Sequence, residues 1–267
     1  TSMYEGAYVK TPQVGRHKWV GSFDLNSLYP HLIMQYNISP ETLVGMHPID
    51  KSEKYFAGSM VESMLNRDTD TDFLKEKNLT MTPNGSLYTR EKQGFLPALM
   101  EQMYTDRVKY KKLLIAEQKK GSNADSNKLA QYHNLQLNFK IALNSAYGAL
   151  GNQWFRYYDE RNAEAVSVAG QLSIRWAENT VNKYLNKLLE TDGKDYVIAS
   201  DTDSLYVAFD SLVQKVGLSD TDKTIKFMDT VCDGKLQDVI DKCYDELAEY
   251  VNAFQQKMVM TREVLAD

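Results

Sequence analysis

The fold of this chain is decided by the segment Tyr196-Val197-Ile198-Ala199-Ser200-Asp201-Thr202-Asp203-Ser204-Leu205-Tyr206-Val207-Ala208-Phe209. Two short runs that are rich in β-branched and aromatic residues flank an acidic turn at 201–204, and this pattern predicts a β-hairpin. A second such run, 18–23, ends at Asp24 just before a predicted helix. Strands from segments this far apart, with helices between them, predict an α+β fold, with an antiparallel sheet and helices packed on it.

The rest of the chain is predicted to be mostly helical. A mixed region at 45–95 contains turn signals at Pro83-Asn84-Gly85 and at Gly94. Two long helices around the polar loop 121–127 predict an antiparallel helical hairpin. The predicted helices run from Ser27 to Tyr36 with Pro30 in the first turn, from Pro97 to Lys120, from Lys128 to Tyr147 with Gly148 closing the helix, from Ala163 to Leu189, and over most of 224–256.

Composition places the chain among ordinary globular proteins. It has 267 residues, of which 43% are hydrophobic and 25% are charged, enough for one large domain or two small ones. No apolar run approaches the roughly 18 residues that span a bilayer. Two cysteines, Cys232 and Cys243, exclude a disulfide framework or a cysteine-based metal site. We expect both to be reduced and to lie on a helix.

Charge is distributed unevenly along the sequence. The formal net charge is −5, which by itself disfavours a nucleic-acid ligand. Between Arg90 and Lys140, however, ten Lys and Arg residues outnumber five Asp and Glu residues, a local charge of +5. The remainder of the chain therefore carries −10. The predicted helical hairpin is a basic insert in an acidic body, and it is the candidate anion-binding element.

Three carboxylates stand at predicted strand ends: Asp24, Asp201 and Asp203. Asp is also common in tight turns for purely local reasons, so the turn alone does not define a site. Carboxylates presented by different strands of one sheet suit two Mg²⁺ ions that activate a hydroxyl and stabilise a leaving pyrophosphate. Mg²⁺ needs few carboxylates, because waters and substrate phosphates complete its octahedron.

The predicted hairpin carries two sets of polar residues at helical spacing. Arg107 and Lys111 are separated by four residues, and Lys140, Asn144 and Tyr147 follow the same periodicity. If the hairpin folds back on itself, the two faces converge on one ligand, and a triphosphate needs such a cluster of cations. The alternative interpretation is a solvated basic surface, which we favour for Lys109, Lys112, Lys119 and Lys120.

Three segments resemble, in order, the conserved motifs of family B DNA polymerases. Motif A is resembled by Phe23-Asp24-Leu25-Asn26-Ser27-Leu28-Tyr29-Pro30, motif B by Lys140-Ile141-Ala142-Leu143-Asn144-Ser145-Ala146-Tyr147-Gly148, and motif C by Asp201-Thr202-Asp203-Ser204. The segments Asn37-Ile38-Ser39-Pro40-Glu41-Thr42 and Trp154-Phe155-Arg156-Tyr157-Tyr158-Asp159 are similar to the polymerases of T-even-type bacteriophages. The resemblance runs from about Gly6 to Glu263.

This resemblance implies a role for each matching residue in template-directed nucleotidyl transfer. Asp24 and Asp203 would hold two Mg²⁺ ions, for which Mn²⁺ can substitute, with the carbonyl of Leu25 as a further ligand and Asp201 as a less direct carboxylate. Tyr29 would exclude the 2′-hydroxyl of a ribonucleotide. The triphosphate would bind Ser27, Leu28, Arg107, Lys111, Lys140 and Asn144, and the nascent base pair and template would contact Tyr147 and Gly148.

The resemblance also implies domains, partners and a location. A palm would comprise 1–96 and 152–267, and helical fingers would comprise 97–151. The ligands would be primer-template DNA and dNTPs, with a sliding clamp as a partner of the complete enzyme, which would be soluble and virus-encoded in an infected bacterial cell. Exonuclease and thumb regions would lie elsewhere in the same or another chain, so we expect this segment alone to polymerise poorly.

The chain departs from the family pattern in two places. Ala199 and Ser200 stand where the family usually has Tyr-Gly before motif C, and His31 replaces a small residue after the motif A proline. Two other functions remain open: a catalytically silent nucleic-acid- or partner-binding fragment, and a metal-dependent nuclease. A nuclease gives no reason for Lys140, Asn144 and Tyr147 to align on one helix face.

Overall fold

The structure, a computed structural model, describes residues 6–49 and 59–267, so residues 50–58 of the predicted mixed region lie outside the described residues. Its strands are β1 (Val9–Lys10), β2 (Val20–Leu25), β3 (Leu43–Met46), β4 (Leu79–Met81), β5 (Ser86–Thr89), β6 (Val197–Asp201), β7 (Ser204–Ala208) and β8 (Met260–Ala266). Its helices are α1 (Leu28–Gln35), α2 (Val61–Leu65), α3 (Asp72–Glu76), α4 (Phe95–Gln118), α5 (Ser126–Leu150), α6 (Glu160–Leu189), α7 (Asp210–Val216), α8 (Thr221–Thr230) and α9 (Gln237–Tyr250). A 3₁₀ turn, Gly121–Asn123, follows α4, and a π-helical segment, Val231–Leu236, joins α8 to α9.

The larger sheet is antiparallel and has the strand order β1-β6-β7-β2-β8. Its centre is β2, which pairs with β7 on one side and with β8 on the other. A smaller antiparallel sheet has the order β3-β5-β4. The prediction of antiparallel sheets with packed helices is therefore confirmed.

The predicted hairpin at the acidic turn is present as β6 and β7. Asp201 pairs with Ser204, which leaves Thr202 and Asp203 as a two-residue loop. Thr202 has a φ of 54°, the left-handed conformation that such tight loops require. Its N–H donates to the carbonyl of Tyr8 at 2.9 Å, so the segment before β1 holds this loop from the side.

The core lies between the larger sheet and the long helix α6. The Asp159 side chain caps the start of α6 by accepting a hydrogen bond from the Arg161 N–H at 3.0 Å. One face of α6 packs against α1, α2 and α9, and residues such as Val166, Leu172 and Val181 are fully buried there. Phe23 from β2 belongs to the same apolar cluster, which fixes the central strand beneath the helices.

Helices α4 and α5 form an antiparallel hairpin. Tyr110 of α4 stacks on Phe139 of α5, with ring centroids 6.0 Å apart. At the tip, the Glu117 carboxylate accepts hydrogen bonds from the Asp125 N–H at 2.9 Å and from Lys120 Nζ at 2.7 Å. These contacts join the two helices at the tip.

The prediction that Gly148 closes the second helix of the hairpin is wrong. Helix α5 continues through Gly148 to Leu150, which is only 1% exposed. A glycine inside a helix costs about 1 kcal/mol relative to alanine, and burying a leucine side chain contributes about 1.5–3 kcal/mol. Packing of the last turn therefore outweighs the glycine.

Two smaller predictions concern the cysteines and membrane helices. Cys232 and Cys243 are free thiols and both are buried, Cys232 in the π-helical segment and Cys243 in α9. Burial raises the pKa of each thiol to about 12, so both stay protonated. None of the helices within residues 6–49 and 59–267 is long and apolar enough to cross a bilayer.

Candidate active site

Asp24 and Asp203 lie side by side at one edge of the larger sheet. Asp24, near the end of β2, pairs with Ser204, and the Ser204 hydroxyl donates to Asp24 Oδ1 at 2.7 Å. The Leu25 N–H donates to the backbone carbonyl of Asp203 at 2.9 Å. The central strand and the β6–β7 loop therefore present the two predicted catalytic carboxylates together.

The two carboxylates repel each other electrostatically. The pKa of Asp203 is raised to about 6, first by its burial, then by the negative charge of Asp24 and, to a smaller extent, by that of Asp201. A raised pKa means that the folded chain disfavours a second negative charge at this edge. A bound cation would remove this penalty.

Hard oxygen atoms at this edge are the ligand type that Mg²⁺ prefers. In the described part of the chain, no group of three or more His, Cys, Asp and Glu side chains is arranged to hold a metal. The pair Asp24–Asp203 still fits Mg²⁺, which takes one or two carboxylates with waters and phosphates. Asp201 is exposed, and its Oδ1 accepts a hydrogen bond from the Thr202 hydroxyl at 2.9 Å.

A cleft of about 140 Å³ opens beside Asp203. It lies where the turn before α1, helix α5 and the β6–β7 loop meet, so it joins the three segments that resemble motifs A, B and C. The predicted nucleotide-binding residues Ser27, Leu28, Tyr29 and Asn144 all line it. The full lining is Ser27, Leu28, Tyr29, Pro30, Asn144, Thr202 and Asp203.

Ser27 forms the turn between β2 and α1. It has a φ of 47° and lies just outside the helix, so α1 begins at Leu28, one residue later than predicted. Its hydroxyl accepts a hydrogen bond from Arg107 Nη1 at 3.2 Å. Arg107, predicted from helical spacing alone, is thus brought to the edge of the cleft.

Tyr29, which lines the cleft, packs against Tyr147 of α5. Their ring centroids are 4.4 Å apart, with an angle of 36° between the rings. Tyr29 also lies close to Gly170 of α6, where an added Cβ would meet its ring at 3.5 Å. The α1 and α5 aromatic residues therefore form one apolar wall.

Five predicted residues on the hairpin are not part of the cleft lining: Arg107, Lys111, Lys140, Tyr147 and Gly148. Arg107 and Tyr147 contact residues of the lining, whereas Lys111, Lys140 and Gly148 are exposed on the hairpin. Lys140 is one helical turn from Asn144, and Lys111 is one turn from Arg107, so each shares a helix face with a residue at the cleft. In the structure the carboxylates and the turn that resembles motif A lie next to each other, whereas the two lysines are exposed on the hairpin.

Three contacts at this site were not predicted from the sequence. The first is the hydrogen bond from the Ser204 hydroxyl to Asp24. The position of Ser204 directly after Asp203 was the sequence signal that could have indicated it. Asn26 Nδ2 donates to the Tyr104 hydroxyl, and the Tyr104 ring packs edge-on against His31. Tyr104 lies one helical turn before Arg107, and no motif indicated a role for Tyr104.

Paired strand-end carboxylates beside a cleft are typical of metal-dependent enzymes that transfer phosphoryl or nucleotidyl groups. The family model of DNA polymerase family B matches residues 1–248. The chain belongs to DNA polymerase family B, and its resemblance to that family is confirmed.

Individual relatives are similar over nearly the whole chain. The chain is 33% identical to the DNA-directed DNA polymerase of Escherichia phage RB69 and 32% identical to that of Enterobacteria phage T4, over 98% of its own length in each case. It is 29% identical to DNA polymerase 1 of Pyrococcus abyssi. That match covers 76% of this chain and 21% of the Pyrococcus protein. The chain spans about a third of the length of the two phage polymerases.

Proposed function

We propose that this chain is the catalytic core of a DNA-directed DNA polymerase, which transfers a nucleotidyl group from a dNTP to a primer 3′-hydroxyl. One observation supports this most strongly: the cleft that joins Ser27, Tyr29, Asn144 and Asp203 from three distant segments lies directly beside the Asp24–Asp203 pair. A surface evolved only for binding gives no reason for two repelling carboxylates at that place.

Asp24 and Asp203, with the carbonyl of Leu25, would hold two Mg²⁺ ions, for which Mn²⁺ can substitute. When bound, these ions lower the pKa of the attacking hydroxyl and stabilise charge on the leaving pyrophosphate. Asp203 supports this proposal because neighbouring Asp24 and burial raise its pKa to about 6. Asp201, the last residue of β6, would be a nearby, less direct carboxylate.

The triphosphate would lie between the start of α1 and the hairpin. The start of α1, at Ser27 and Leu28, would face the triphosphate, because the backbone N–H groups at a helix N-terminus attract anions. Arg107 already contacts Ser27, and Asn144 lines the cleft. Lys111 and Lys140, exposed on the same hairpin, would reach the phosphates when the nucleotide binds.

The aromatic wall would select the sugar and the base pair. Tyr29 would lie beneath the deoxyribose, where a flat ring leaves no room for a 2′-hydroxyl. Tyr147 stacks on Tyr29 and would lie against the nascent base pair, with Gly148 beside the template strand. In this proposal residues 1–96 and 152–267 are the palm and residues 97–151 are the fingers.

Partners follow from the family and from the charge distribution. The ligands would be primer-template DNA and dNTPs, and the exonuclease, thumb and sliding clamp would complete the enzyme in an infected bacterial cell. Duplex affinity comes largely from neutralised phosphates. Outside residues 90–140 the chain is acidic, so we propose that alone it binds duplex weakly.

Primer extension by the purified chain tests the proposal. We expect weak extension at about physiological salt, recovery when a thumb region is supplied in cis or in trans, and loss of the recovered activity in Asp24→Asn. The chain alone should bind Mg²⁺ with dATP. The alternative, a catalytically silent binding fragment, would be supported if triphosphate binds and no arrangement restores extension.

A further inference from the structure

A side-chain contact ties helix α4 to the turn before α1. Asn26 Nδ2 donates a hydrogen bond to the Tyr104 hydroxyl, and the Tyr104 ring packs edge-on against His31, with ring centroids 4.5 Å apart. None of these three side chains is among the groups proposed above to touch the nucleotide or the metal ions. Their contact joins an element of the proposed fingers to an element of the proposed palm.

The turn that they contact has a demanding backbone conformation. Ser27 has a φ of 47° and a ψ of 58°, a left-handed conformation that is unfavourable for a residue with a Cβ. Such a conformation persists only when its surroundings fix it. The Ser27 carbonyl accepts a hydrogen bond from His31 Nδ1 at 2.9 Å, and its hydroxyl accepts one from Arg107 at 3.2 Å.

Asn26 is fixed on the palm side of this contact. Its N–H donates to the Val259 carbonyl at 2.9 Å, just before β8. Its side chain then reaches across to α4. A shift of α4 relative to the sheet must therefore either break the Asn26–Tyr104 hydrogen bond or move the backbone next to Ser27.

Tyr104 occupies the level of α4 at which the hairpin leaves the core. The buried residues Leu96, Pro97 and Met100 precede it on α4, and Arg107 follows one turn later. Tyr104 is itself half-buried and packs against the core cluster. The hydrogen bond from Asn26 therefore reaches α4 at the level where the hairpin leaves the core.

We propose that Asn26 and Tyr104 are positioning residues for the incoming nucleotide. Their hydrogen bond holds the hairpin in the orientation in which Ser27, the start of α1 and Arg107 together face the triphosphate. Neither residue touches the substrate. This inference rests on the proposed function, because it concerns the same nucleotide site, and it adds two residues to which neither helical spacing nor the motif resemblance gave a role.

Tyr104→Phe isolates the hydroxyl, because the ring stays packed against His31. One hydrogen bond is typically worth a change of about two- to tenfold in an equilibrium constant. We therefore expect Tyr104→Phe to weaken binding of dATP with Mg²⁺ by about two- to tenfold. Asn26→Ala removes the other partner, so the double variant should bind no more weakly than the weaker single variant.

The matched control is Tyr110→Phe. It removes a hydroxyl from the same helix, and the Tyr110 ring contacts Tyr132 and Phe139 of α5 away from the turn. Isothermal titration calorimetry on the 267-residue chain gives the affinity for dATP with Mg²⁺. Amide hydrogen exchange of residues 25–28 without nucleotide gives an independent readout, which should be faster in Tyr104→Phe and unchanged in Tyr110→Phe.

The two readouts separate this inference from the proposed function. If the wild type binds dATP and Tyr104→Phe binds it equally well, the positioning role is wrong. It is also wrong if the effects of Tyr104→Phe and Asn26→Ala on the affinity multiply in the double variant. A wild-type chain that binds no dATP would overturn the proposed function instead. In that case the exchange rates decide, because unaltered exchange at residues 25–28 in Tyr104→Phe contradicts any control of the turn.

Discussion

Replacing Asp203 by Asn is expected to make the metal-free chain more stable at neutral pH. The pKa of Asp203 is about 6 in the folded chain, against an ordinary value of 3.8. At about pH 4 the group is still protonated in the folded state and only about half ionised in the unfolded state, so its cost is small. As the pH rises to about 6 the unfolded chain ionises more readily than the folded chain, and stability is lost.

The size of this loss follows from the shift. About two pKa units correspond to roughly 3 kcal/mol. The carboxyl group is partly exposed and water screens it, so we reduce the expected gain in the free energy of unfolding to about 1–2 kcal/mol. The gain should be present at pH 7.5 and nearly absent at pH 4, because only the charged form is penalised.

Urea unfolding in EDTA at the two pH values measures this difference. Asp201→Asn is the matched control: Asp201 is exposed and raises the pKa of Asp203 less than Asp24 does, so its gain should be smaller. Adding Mg²⁺ should stabilise the wild type and not Asp203→Asn, because a ligand stabilises only the form that binds it. An Asn variant that gains nothing at pH 7.5, or equally at both pH values, would refute the reasoning.

Three further substitutions test other parts of the structure. Tyr29→Ala, in the chain completed by a thumb region, should raise ribonucleotide incorporation about tenfold or more in primer extension, and unchanged sugar discrimination would exclude its role as a gate. Ser200→Ala should raise the free energy of unfolding by about 1 kcal/mol in urea, since the buried Ser200 hydroxyl has no hydrogen-bond partner within the described residues; a loss of stability would contradict this. Gly21→Ala should cost about 1–3 kcal/mol in the same assay, because the new Cβ would meet the Phe209 ring at 2.8 Å, whereas Gly45→Ala, with open space around it, serves as the control and should cost less.

The sheet and its carboxylates were predictable because they depend on local pattern. Apolar runs of strand length ending at Asp24 and Asp201 define the strands, and the acidic turn between β6 and β7 needs only two loop residues. The pairing of β2 with β8 was not predicted. Pattern alone carries no information on which distant strand becomes the neighbour.

Contacts between side chains of different secondary-structure elements could not be predicted from the sequence. Helical spacing placed Arg107 on a face with Lys111, yet Arg107 contacts Ser27 while Lys111 stays exposed. The difference depends on the depth at which α4 leaves the core, which is set by packing of Leu96 and Met100. For the same reason the Asn26–Tyr104 hydrogen bond has no signature in either local segment.

The α4–α5 hairpin is also a stiff lever arm. From Tyr104 to the last residue of α4, Gln118, the helix extends about 21 Å, at 1.5 Å per residue. Because Glu117 joins the two helices at the tip, they should swing as one body. A rotation of about 10° at Tyr104 would then displace the tip by about 4 Å. A small rotation of α4 beside Ser27 would therefore displace the tip of the hairpin far enough to be followed in real time by energy transfer between two dyes, one on the tip and one on α6.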